Sequence, residues 1–224
     1  MLALLLGAIL TIVNFFSDSL HIAYESHRMK IISFSSGVFV TYLFLHLFPL
    51  LYETTRIEIS MMSVLIGFTL FHVIEKYIYK HESRPVVLKR EMKEVHSISF
   101  FIYHLVIGMI LVRLMSRGLT ETMLFFVPIL LITGVSSISM KYLYAHKDLQ
   151  AKTLLSVSTF VGTVFAFIFT IPDTIFNSIF GFMIGTLMYV IMMDAIPKER
   201  EGNPIFFMSG IFVYMIVIMM TWLF

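Results

Sequence analysis

The feature that most constrains this chain is a series of apolar runs too long for a soluble core; residues 204–223, for example, hold no charged side chain. About 20 mostly apolar residues cross the hydrocarbon core of a bilayer as one helix. Such runs recur along the sequence and predict eight crossings, over residues 2–17, 31–51, 60–79, 98–115, 122–143, 153–171, 174–196 and 204–223. Eight crossings take up about 160 residues of the 224, which predicts a single transmembrane domain. An apolar medium leaves open backbone groups unsatisfied, so a spanning segment must be a helix or part of a closed barrel. The alternation of a barrel strand is missing here, and the fold class predicted is an all-α polytopic membrane protein.

Composition agrees, with 58% hydrophobic and 13% charged residues against about a quarter charged in soluble domains. The lipid bilayer is the partner this implies, and nothing supports binding to nucleic acid. The absence of cysteine excludes disulfides, thiolate ligands and thiol nucleophiles. The first run begins at Leu2 without a preceding basic stretch and is expected as a retained first span. Each boundary has a local cause: the polar stretch from Ser17 to Lys30, Glu53 to Glu58, the charged run from Lys80 to His96, the Pro172-Asp173 turn, and Pro197 with Gly202-Asn203-Pro204.

Lys and Arg are retained on the cytoplasmic side of short loops. Arg28, Lys30, Lys76, Lys80, Arg84, Lys89, Arg90, Lys93, Lys141, Lys147, Lys152, Lys198 and Arg200 fall in odd-numbered loops; Arg56, Arg113 and Arg117 fall in even-numbered ones. The asymmetry predicts both termini outside, a cytoplasmic loop over 80–97, and residence in the cell (plasma) membrane.

An internal repeat relates span two to span seven. Gly37, His46 and Pro49 recur in spacing as Gly185, Asp194 and Pro197, and Glu53 and Glu201 each follow four residues after the proline. An element and its copy are five positions apart in the order of spans, so the copies run in opposite directions. This predicts a 3+2+3 arrangement of inverted repeats, a plan used by transporters.

Ionisable groups at membrane depth usually face a bundle interior, a partner or a water-filled path. His46, one turn before Pro49, is a metal ligand, an outer gate or an interhelical hydrogen bonder. His72 and Glu75, at i and i+3, share a helix face and make either a metal or proton site or an interfacial anchor. His104, beside Tyr103 and one turn before Gly108, suits a transition-metal ion or a proton relay, or a structural hydrogen bond to another helix. Asp194 either joins His72 and Glu75 at an inner exit or pairs with Lys198. Ser136, with Ser137, Ser139 and Gly134, permits close helix approach on span five and is a candidate path-lining residue with Tyr103 and Gly108.

Four stretches carry a resemblance to a known family: Ser33–Gly37 through His46-Leu-Phe-Pro49; Gly67 through Glu75-Lys76; the glycine-containing span four; and Gly185–Tyr189 through Asp194-Ala-Ile-Pro197. In these the chain resembles a divergent member of the Zrt/Irt-like protein (ZIP) family of divalent-metal transporters. The resemblance implies eight spans, outside termini and a 3+2+3 inverted repeat. It further implies alternating-access transport of a zinc-, iron- or manganese-class ion, without a resident cofactor or enzymatic activity, and a homodimer as a candidate assembly.

The metal-binding motifs of such transporters are His-Asn-x-x-Asp/Glu-Gly in span four and His-Glu-x-x-His/Glu in span five. Alignment on Gly108 gives Tyr103, His104 and Ile107 at the first three ligand positions, and Phe125-Phe126-Val127-Pro128-Ile129 stands in place of the second motif. Two alternatives follow from that departure: a transport-inactive relative acting as sensor or partner subunit, and an intramembrane zinc hydrolase using His, Asp and Ser.

Overall fold

The computed structural model describes residues 1–20, 28–54, 56–140, 149–190 and 202–223. All regular structure among them is helical: α1 (Leu2–Leu20), α2 (Arg28–Tyr42), a π-helical turn (Leu43–Leu47), α3 (Phe48–Tyr52), α4 (Ile57–His81), α5 (Pro85–Met115), α6 (Leu119–Met140), α7 (Leu149–Ile168), α8 (Asp173–Val190) and α9 (Pro204–Leu223). Met29–Tyr52, Ile57–His81, Val86–Met115, Asp173–Val190 and Pro204–Leu223 are long and apolar enough to cross a membrane, and Leu2–Ser17, Leu119–Gly134 and Lys152–Ile168 are shorter apolar helices.

The surface is the reverse of a soluble protein's. Met62 and Leu65 on α4 are 65% and 63% exposed, while Ser60 and Glu75 on the same helix are buried. A large exposed apolar surface marks an apolar surrounding or a partner, and its extent here makes the chain a helical membrane protein.

Local chemistry explains several helix ends and kinks. Pro49 has no N–H to offer the Leu45 carbonyl, and the chain widens there by one residue, the Phe48 N–H bonding back to the Leu43 carbonyl. At the other end of the bundle Asn203 caps α9, its Oδ1 accepting from the Ile205 and Phe206 N–H groups at 3.1 and 3.2 Å, with Pro204 in the first helical position. The turn between α5 and α6 passes through Gly118 at φ 139°, a conformation glycine adopts without steric cost.

The stretch 80–97, expected as a loop, is helical from Pro85 onward. With 31 residues, α5 is about 46 Å long, well beyond the roughly 30 Å hydrocarbon layer. Before it, the Arg84 guanidinium grips Glu82 through two hydrogen bonds of 2.9 Å and holds its carboxyl down to about 2.

The tightest packing is between α5 and α7, α4 and α8, and α2 and α9; α1 packs on α6 and α7, and α2 on α6. The three tight pairs share one construction, in which a methyl group on either of two facing glycines would strike the partner's backbone. Gly37 meets Phe207 and Ile211 while Gly210 meets Phe34 and Val38; Gly185 meets Val64 and Phe68 while Gly67 meets Phe182; Gly108 meets Thr159 and Thr163 while Gly162 meets Leu105. In each case the residues struck lie three before the facing glycine and, where a second is met, one after it. Without a hydrophobic driving force between helices in lipid, such backbone-to-backbone packing supplies association.

All three pairs are parallel. In α2 and α9, Ser33 accepts from the Asn203 N–H at 3.0 Å, and the Tyr42 and Tyr214 rings meet further along at 6.2 Å. In α4 and α8, Ser60 lies at Gly181 and His72 at Tyr189.

Candidate functional site

Three polar places inside the helices carry the ionisable candidates. At one end of the bundle, the π-helical turn sets His46 against the first turn of α6. His46 Nε2 lies 3.0 Å from Glu121 Oε2, although the two groups are not aligned as a hydrogen bond. The Tyr42 ring stacks on the imidazole at 5.4 Å and meets Phe125 edge-on at 6.2 Å. The same end carries the ion pair of Arg117 with Glu53 at 3.1 Å and that of Arg113 with Asp173.

Pro128 shapes the neighbourhood. It lies inside α6 and frees the Leu124 carbonyl four residues before it. The Tyr214 hydroxyl of α9 donates to that carbonyl at 2.7 Å. In lipid a freed backbone group must find such a partner, so Pro128 and Tyr214 form one device joining α6 to α9.

His104 is fully buried. Its Nδ1 lies 3.0 Å from Thr159 Oγ1 on α7, and Phe100 and Tyr103 pack against its ring at 4.1 and 4.6 Å. Of the readings open for this residue, the interhelical hydrogen bond is present on Nδ1, and Nε2 has no partner among the described residues. Gly108 belongs to the α5–α7 glycine crossing. Tyr103 is buried in the main apolar core with Ile107, Phe125 and Ile129.

The third place is near the opposite end of α4. The half-buried His72 ring lies 6.2 Å from Phe68 and 6.4 Å from Tyr189, and Glu75 is buried one turn on. Asp194 lies outside the described residues, as does the side chain of Ser136 on α6.

The structure therefore brings His46 to Glu121 and His104 to Thr159. Among the described residues no three of His, Asp or Glu come together in a way that would hold a metal ion. Sequence reasoning missed Glu121, Thr159 and Tyr214. A signal for Glu121 was present, because the assigned topology places it and His46 at the same outer end of antiparallel spans.

No protein-family model matches the chain, and no curated protein matches it.

Proposed function

We propose that the chain is a ZIP-like integral membrane protein of eight crossings, arranged as 3+2+3 inverted repeats with both termini outside, and that it transports a divalent cation of the zinc, iron or manganese class by alternating access. The observation that carries the architectural part is the matched pair of glycine crossings. Gly37 on α2 meets α9 around Gly210 in the same register as Gly185 on α8 meets α4 around Gly67. Exchanging span two for seven and span three for eight turns one crossing into the other, and the sequence repeat already pairs Gly37 with Gly185. The packing of α5 on α7 and of α1 on α6 is likewise exchanged by that operation.

In this reading α1, α5, α6 and α7 form one body, and the α2–α9 and α4–α8 pairs flank it. Rocking of one body against the other moves the cargo, with His46 and Glu121 meeting it at the outer mouth. No covalent chemistry is involved. Uptake of radioactive zinc, iron or manganese into proteoliposomes holding the purified protein tests the reading. Uptake above that of empty liposomes for any one ion supports it, and its absence for all three overturns it.

A second reading keeps the architecture without transport, as a sensor or partner subunit. It is favoured by the complete burial of Ile107 and Phe125, which fill the core at positions where the resemblance calls for metal ligands. Metal bound by the purified protein without any flux across the vesicle supports this second reading.

A further inference from the structure

The faces of α1, α5 and α7 that meet form a polar seam. Gly7, Gly108 and Thr163 come together at one point, where a methyl group on either glycine would press on Thr163 Oγ1. From there towards the end of the bundle that holds Lys152, helical periodicity carries the same faces on to Thr11 and Asn14 on α1, His104 on α5, and Thr159 and Ser156 on α7. Two contacts fix the register: His104 Nδ1 to Thr159 Oγ1 at 3.0 Å, and the Lys152 ammonium 4.8 Å from the Phe15 ring centre.

His104 and Thr159 are fully buried, and Asn14 and Ser156 are 5% and 3% exposed. Thr11 Oγ1, Asn14 Nδ2 and His104 Nε2 have no hydrogen-bond partner among the described residues. A buried polar atom left unpaired costs about 1–3 kcal/mol, so three on one seam are a heavy burden for a protein stabilised by about 5–15 kcal/mol. The described groups along the seam from Thr163 to Asn14 and Ser156 include both donors and acceptors. That chemistry suits a small neutral solute able to donate and accept. Buried water typically makes about three hydrogen bonds to groups of this kind.

We infer that the seam is a blind, water-holding channel that opens at the Lys152 end and ends at His104, closed beyond it by the contact of Gly7 and Gly108 with Thr163. It rests on the chain lying in a membrane and is independent of what the protein carries.

The native chain has no cysteine, so single cysteines introduced into the full-length protein in proteoliposomes report water access through a small charged methanethiosulfonate. Arg84→Cys marks the face of the Lys152 end, Arg117→Cys the opposite face, and Ile12→Cys, at a position 56% exposed on α1, is the lipid-facing control. Asn14→Cys and Ser156→Cys react at least about tenfold faster than Ile12→Cys, and only from the Arg84 face. A rate no greater than the control's, or reaction from the Arg117 face, overturns the inference. Thr11→Val is the second arm, and it stands with Ser156→Cys if Asn14→Cys fails to fold. With water in the seam its Tm is unchanged or lower; a rise, as for removing an unpaired group from a dry core, overturns the inference.

Discussion

At the scale of single residues, the most informative bond is that of Tyr214 to Leu124, because its partner exists only through a proline in a different helix. Tyr214→Phe leaves the Leu124 carbonyl buried without a donor and lowers stability by about 1–3 kcal/mol, measured as thermal unfolding of the purified protein in detergent. In a Pro128→Ala background the N–H of residue 128 returns to that carbonyl, and Tyr214→Phe then costs well under half as much; equal costs in the two backgrounds refute the coupling. None of this was legible beforehand. The sequence shows Pro128 and Tyr214 as isolated residues in apolar runs, and only the approach of α9 to α6 makes one answer the other. His104 was legible as buried, since a single imidazole in an apolar run has few other fates. Its partner Thr159 was not, because a threonine in such a run usually bonds to its own helix, as Thr163 does to the Thr159 carbonyl at 2.8 Å.

At the scale of elements, hydropathy found the apolar stretches but mistook what lies between two of them. Residues 85–97 carry Lys89, Arg90, Glu91, Lys93 and Glu94, and charge at that density ends a hydropathy window without ending a helix. The window measures the solvent outside; the backbone continues through it. Contacts between elements were legible only in part, through the glycines. Gly37→Ala and Gly185→Ala are each expected to destabilise by about 2–3 kcal/mol through overpacking, and by similar amounts, since the two crossings share a register. Gly134→Ala, whose added methyl meets only Val13 Cγ1 at 3.9 Å among the described residues, is expected to be neutral or stabilising by up to about 1 kcal/mol. Thermal unfolding of the three variants measures both; a Gly37→Ala protein as stable as Gly134→Ala removes the argument.

At the scale of the whole molecule, the ionic contacts sort the helix ends into two groups. His46 with Glu121, Arg117 with Glu53 and Arg113 with Asp173 lie together, while Glu82, Arg84 and the basic start of α5 lie at the far end of α4 and α5. In intact cells, Arg117→Cys is expected to react with an impermeant thiol reagent and Arg84→Cys only after the membrane is opened; reaction of both in intact cells contradicts the topology. Charge counting assigns the direction of the chain without any knowledge of packing, and the two cysteine variants test that assignment. Which helices touch was not, because the strongest pairs, α2 with α9 and α4 with α8, are distant in sequence and are joined through backbone rather than distinctive side chains. A molecule held in this way has an unusual relation to its own history. Where two backbones touch, any residue larger than glycine costs stability, while the large apolar side chains facing outward are interchangeable with one another. Descendants of such a chain can exchange most of their letters and retain the shape, so kinship is written in a handful of glycines and prolines and in the distances between them.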